Sequence, residues 1–290
     1  MLRGVIVRFK VIKTCGGVNV RAREPPMTIH PQPLERRFGR RYNRCMNDEL
    51  SAAVRSFGAS DCGIFRANGA EAGLPFGLSV VVRLSDAIVD EIGDEPTYTY
   101  FNHYRSVNYL IDQILLRAGL LLQERGARYI TVAASQSRPD SPYEGRFSHK
   151  KAACLAGLGF VGRNGLFLHA DWGARVRLGT LFTDWPDAAV PSELATGDVN
   201  GVSRECPSVV GVSALPALHP SCAHCRACSD SCPAGAIGVA EGAVQFDAKR
   251  CSDWMKKQYQ HIGRGAVCGI CMRTCPAADG NVRKENGHEH

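Results

Sequence analysis

Eight cysteines crowded into the last 70 of 290 residues constrain this chain more than anything else in it. They fall in two halves. The first reads Cys222-x2-Cys225-x2-Cys228-x3-Cys232-Pro233; the second is Cys251, a gap of sixteen residues, then Cys268-x2-Cys271-x3-Cys275-Pro276. Two-residue spacers let a tight loop aim successive thiolates at one inorganic centre, and the Cys-Pro step marks where the chain turns away. A secreted disulfide scaffold would be shorter, with more dispersed cysteines. Clustering at metal-ligand spacing predicts a reducing compartment, the cytoplasm.

The first half has the spacing of the bacterial ferredoxin run, in which three cysteines grip one four-iron cube and the fourth reaches a second cube. Crossed ligation assigns Cys222, Cys225, Cys228 and Cys275 to one [4Fe–4S] cluster, and Cys251, Cys268, Cys271 and Cys232 to the other. Zinc also binds CxxC pairs, but two halves each closed by Cys-Pro, the first with the complete run, weigh against it. The insertion after Cys251 carries Trp254, Lys256, Lys257, Tyr259 and His261, so Cys251 returns to its site from a loop or helix. Ala236-Ile237 and Val244-Gln245-Phe246-Asp247 predict a small hairpin between the halves. Cys62 and Cys154 sit in apolar surroundings and read as small hydrophobes. Cys206 is surplus to a complete set of eight ligands.

The net charge of +7 invites a nucleic-acid reading, yet its distribution argues otherwise. Residues 1–45 hold eleven Lys/Arg against Glu24 and Glu35 and so carry +9, leaving −2 for the remaining 245 residues. This Pro-bearing basic segment has little apolar surface to bury and reads as a disordered extension. A targeting peptide and a nucleic-acid arm are weaker readings of it. We favour a true start at Met46, where Asn47-Asp48-Glu49 puts acidic residues in the first turn of a helix.

Residues 46–205 alternate between helical and strand patterns, which predicts an α/β or α+β domain. Leu78 to Leu84 and Tyr129 to Val132 read as strands, and so do Cys62 to Phe65, Leu166 to Leu168 and Val176 to Phe182. Apolar positions from Val107 to Leu122 recur at helical spacing in a helix over Tyr100–Arg125. A second helix opens at Ser148. The polar loop 135–147 reads equally as the border of an active site and as a plain surface connection. No apolar run reaches eighteen residues, so the sequence predicts no membrane span. The chain thus reads as α+β, with a cofactor or substrate domain over 46–205 and a double-cluster ferredoxin-like domain over 206–290.

The segment Phe147-Ser148-His149-Lys150-Lys151, followed by Gly157-Leu158-Gly159-Phe160-Val161-Gly162-Arg163-Asn164-Gly165-Leu166, resembles the core signature of the epoxyqueuosine reductase family. That family is similar in turn to the reductive dehalogenases. Gly173-Ala174-Arg175-Val176-Arg177-Leu178-Gly179-Thr180, Thr183-Asp184 and the long gap after Cys251 continue the likeness, which covers residues 46 to 278. It implies a nitroreductase-like domain carrying a cobalamin that two [4Fe–4S] clusters feed. It also implies a tRNA or small-molecule substrate and a low-potential donor of flavodoxin or ferredoxin type. His149, Lys150, Gly159, Gly162, Arg163, Asn164 and Arg175 become the candidate cofactor-binding residues. Arg177 is weighed with them, against the commoner reading of a solvated strand-face charge.

Two departures point to a shortened relative with its own substrate. The family's proton-donating Asp follows the strand matching Tyr129–Val132, where this chain has Ala133 and Ala134. The family's C-terminal helical repeats have no counterpart in the residues after Cys275. Asp140, Tyr143 and Tyr104 stand as candidate proton donors. The competing expectation is an electron-transfer protein whose N-terminal part docks partners and binds no corrinoid. RNA binding without catalysis has little support once the basic segment is set aside.

Overall fold

In a computed structural model, residues 48–71, 73–134, 145–185, 198–199, 202–203, 219–240 and 243–279 are described. The central layer is a four-stranded sheet ordered β1 (Asp61–Glu71), β2 (Leu74–Arg83), β6 (Val176–Thr183), β3 (Tyr129–Val132), antiparallel throughout. Strand β2 is apolar along most of its length because it is covered on both faces. Leu78, Val80 and Val82 share a cluster with Ile111, Ile114 and Leu115 of the long helix α3 (Tyr98–Glu124). Val81 packs the other way, against Ala153 of α4 (His149–Leu155) and Phe167. Each such side chain, fully buried, contributes about 1.5–3 kcal/mol.

Helix α3 starts where the Thr97 side chain accepts a hydrogen bond from the Tyr100 amide at 3.0 Å. It lies close on the sheet at Gly179 of β6, where a Cβ would stand 2.4 Å from Ile111 Cγ2. A short helix α1 (48–56) precedes β1, and α2 (Asp86–Asp90) follows β2. Helix α4 is capped by Ser148 and leads into the hairpin of β4 (Gly159–Val161) and β5 (Phe167–His169). Between β6 and the cysteine-bearing residues, β7 (Asp198–Val199) and β8 (Val202–Ser203) pair with each other.

The cysteine-bearing region falls into two halves. Helix α5 (Pro220–Ala223), helix α6 (Ala227–Asp230) and the hairpin β9 (Ile237–Ala240)/β10 (Ala243–Phe246) make the first half. Helix α7 (Ala248–Gln258), a 3-10 turn at Gly263–Gly265 and helix α8 (Ile270–Arg273) make the second. Helices α6 and α8 hold equivalent stretches of the two motifs. The residues just before each Cys-Pro, Ser231 and Thr274, meet through their hydroxyls at 2.9 Å. Cys251 reaches its place from helix α7, as the sixteen-residue gap required.

Among the described residues, this region shares its core with the sheet-bearing part. Val267, Ile270 and Met272 belong to the same buried cluster as Ile92, Tyr100 and the β2–α3 residues. Tyr259 donates to the Asp94 carbonyl at 3.1 Å, and Tyr98 donates to that of His261 at 3.2 Å. Among the described residues, no helix is long and apolar enough to cross a membrane.

Candidate functional site

The eight cysteines divide between two hollows. Cys222, Cys225, Cys228 and Cys275 line a small one together with Arg163, Asn164 and Leu168. Cys232, Cys251, Cys268 and Cys271 stand in the wall of a larger cavity of about 470 Å³. Burial pushes the Cys275 thiol up to about 11, and Cys222, Cys228 and Cys225 add to the shift. Cys251 is pushed up to about 11 by burial and then by Cys268 and Cys232. Burial also raises Cys271, with Cys268, Cys251 and Cys232 adding to it. Thiols so arranged resist ionising together unless a cationic centre sits among them. Iron fits that donor set. Among the described residues, no three His, Cys, Asp or Glu side chains gather closely enough to hold a single ion. A cube spreads its thiolates over four corners.

The turn joining β4 to β5 is wedged between the two sets. Arg163 donates to the carbonyls of Cys222 at 2.8 Å and Ala223 at 3.2 Å. Its neighbour Asn164 donates to the carbonyl of Cys271 at 3.3 Å, in the other set. Lys150 Nζ fastens the same turn through the Gly165 carbonyl at 2.7 Å. Residues that the sequence suggested for a flat cofactor thus fasten the two cysteine loops to one turn.

Not every candidate lies at the cavity. His149, Lys150, Asn164 and Tyr104 line it; Gly159, Gly162 and Arg175 do not. Arg175 is buried in ion pairs with Asp90 at 2.7 Å and Asp86 at 3.2 Å, which tie α2 to the residue just before β6. Gly159 and Gly162 serve packing. A Cβ on Gly159 would lie 2.0 Å from the Leu168 carbonyl oxygen, and one on Gly162 would lie 2.7 Å from Leu168 Cδ1. Backbone cannot yield as a side chain does, so Gly159→Ala is expected to cost about 3 kcal/mol in chemical unfolding. Asp140, Tyr143 and Cys206 lie outside the described residues, as does the whole segment 1–45.

His149 uses both ring nitrogens inside the protein. Nε2 lies 3.3 Å from the Ala133 carbonyl, which can only accept, so Nε2 carries the proton. Nδ1 then accepts from the Thr180 hydroxyl at 2.8 Å. Burial pushes the imidazole's pKa down and keeps it neutral. The ring therefore pins the end of β3, and the Asp112 carboxylate pins the next residue through the Ala134 amide at 3.1 Å. Arg177 lies over the Tyr104 ring, 4.3 Å from its centroid, and donates from Nε to Asn108 at 3.0 Å. It is a cation in the cavity wall, not a solvated strand-face charge. The sequence signal for it was a charge inside a strand flanked by buried residues. Most other lining residues are apolar, among them Phe147, Phe167, Val176, Trp254 and Met272.

No protein-family model matches the chain. It is 28% identical over 147 residues to the tetrachloroethene reductive dehalogenase of Sulfurospirillum multivorans, a match covering 47% of this chain and 25% of the relative. To the epoxyqueuosine reductase of Pseudomonas aeruginosa it is 29% identical over 140 residues, covering 44% and 30%. The matches to these two curated relatives span no more than about a third of their length. Among solved structures, a catabolic reductive dehalogenase in complex with 3-bromo-4-hydroxybenzoic acid superposes with a TM-score of 0.58 at 19% identity, covering 78% of this chain and 31% of that one. An epoxyqueuosine reductase with an epoxyqueuosine-modified tRNA stem loop gives 0.51 at 17%, covering 82% and 66%. At such identities the likeness is one of fold.

Proposed function

We propose that this chain, which belongs to the epoxyqueuosine reductase family, is an iron–sulfur reductase that removes an oxygen or another leaving group from a substrate held in the 470 Å³ cavity. The observation that carries the reading is the split of eight cysteines into two sets of four, one of them in the wall of that cavity. In this reading each set holds a [4Fe–4S] cluster in a ferredoxin-like arrangement. Electrons enter from a low-potential flavodoxin or ferredoxin, pass through the Cys222 set, and leave through the Cys251 set into the cavity.

The cavity suits a corrinoid in its chemistry: apolar walls, with Lys150, Asn164 and Arg177 as polar contacts. A corrinoid would supply the centre that cleaves the bond to the leaving group. His149 would not ligate it, since both ring nitrogens are engaged. Tyr104 would supply the proton, and Arg177 above its ring would face the charge left behind. The solved relatives hold a modified tRNA stem loop and a halogenated hydroxybenzoate. Both classes are proposed substrates of this chain.

Metal analysis of the full chain, purified without oxygen from cobalamin-fed cells, tests the reading. About eight irons and one cobalt per chain are expected, with a corrinoid absorbance spectrum. Eight irons without cobalt, even after reconstitution, would remove the corrinoid and leave an electron-transfer protein that docks partners through its sheet-bearing region.

A further inference from the structure

Arg163 is 4% exposed and lines the hollow shared by Cys222, Cys225, Cys228 and Cys275. Two backbone carbonyls take hydrogen bonds from one of its Nη atoms. Its Nε is buried with no hydrogen-bond partner, and no described carboxylate pairs with it. A buried guanidinium left this way is costly unless an anion stands beside it. Resting on the two-cluster reading above, the anion is at hand: four thiolates around an iron–sulfur cube leave the centre anionic. Each electron added makes it more so. A fixed cation at its edge therefore stabilises the reduced form, and net charge and hydrogen bonds to sulfur are what set such potentials.

We propose that Arg163 sets the reduction potential of the cluster held by Cys222, Cys225, Cys228 and Cys275, raising it through its buried charge and an Nε–H bond to cluster sulfur. Reduction of the cluster away from the cavity is thereby favoured, so that it holds an electron in reserve for the one in the cavity wall. Asn164 anchors the same turn to Cys271 on its own account and Lys150 holds its Gly165 carbonyl, so the turn keeps both fastenings when residue 163 is changed.

The test compares the full-length wild type with Arg163→Gln, which is neutral but can still donate to the Cys222 carbonyl, and Arg163→Lys, which keeps the charge. Redox titration followed by electron paramagnetic resonance reads the two couples separately. Arg163→Gln is expected to retain its iron and disfavour reduction of one cluster at least tenfold, a shift of about 59 mV, with the other unmoved. Arg163→Lys should recover at least half of that shift. An unchanged couple in Arg163→Gln, equal shifts in both clusters, or equal shifts in the two variants would each overturn the proposal. Should Arg163→Gln lose iron, wild type grown with 15N-arginine decides. A nitrogen coupling to the reduced cluster, absent in Arg163→Lys, supports the bond, and no coupling in wild type refutes it. A wild type that never holds about eight irons fails earlier and takes the two-cluster reading down with it.

Discussion

Replacing Cys251 with alanine is expected to halve the bound iron, from about eight atoms per chain to about four, while one reduced-cluster signal survives unaltered. The reason is local. Cys251 arrives alone on helix α7, seventeen residues ahead of Cys268, and that helix holds no other cysteine to replace it. The companion variant tests the crossing of the two motifs. Cys275 shares its hollow with Cys222, Cys225 and Cys228, although its nearest neighbours in sequence are Cys268 and Cys271. Cys275→Ala should therefore leave the same surviving signal as Cys222→Ala, and the opposite one from Cys271→Ala. If Cys275→Ala and Cys271→Ala left the same signal, each motif would hold its own cluster and the crossed assignment would fall. Because ligand binding and folding are coupled in such sites, both variants should also unfold at lower temperature.

What the sequence revealed follows the range of the forces involved. Cysteine spacing is local geometry, and the short apolar runs between the two motifs marked the β9/β10 hairpin. Apolar periodicity gave α3 within two residues of its ends and β3 at its observed limits. Strand pairing is not local. Alternating helices and strands left α/β and α+β both open, and the sheet proved antiparallel, with β6 inserted between β2 and β3. Strand β4 was missed because Gly159 lowers strand propensity, and only its tight approach to Leu168 makes the glycine necessary. Arg175 was read toward a cofactor, whereas its partners Asp86 and Asp90 lie more than 80 residues away in sequence. The Gly162–Gly165 turn was singled out for a cofactor, and its contacts with both cysteine loops become visible only in three dimensions.

Tyr104→Phe is expected to lower turnover about 10²–10⁴-fold, the usual worth of a positioned acid, while iron and cobalt content stay at wild-type levels. Reductive loss of a group leaves negative charge that a proton must neutralise, and few described groups in the cavity can give one. Burial pushes the Tyr100 hydroxyl's pKa far up, making it a poor acid. Ser148 is an alcohol and a weak acid whose oxygen caps α4 by accepting from the Lys151 amide at 3.3 Å, and His149 is neutral with its one proton held by Ala133. Tyr104 is half-buried at the cavity wall with the Arg177 cation across its ring. Turnover would be measured on an epoxyqueuosine-bearing tRNA stem loop and on a halogenated hydroxybenzoate, under single-turnover conditions so that electron delivery does not limit. Proton transfer belongs to the transition state, so the loss should fall on the single-turnover rate constant, with the half-saturating concentration little changed. A variant that kept more than about a tenth of wild-type turnover would be far above the expected range. It would pass the proton-donating role to Lys150 or to Asp140 and Tyr143 of the 135–147 loop.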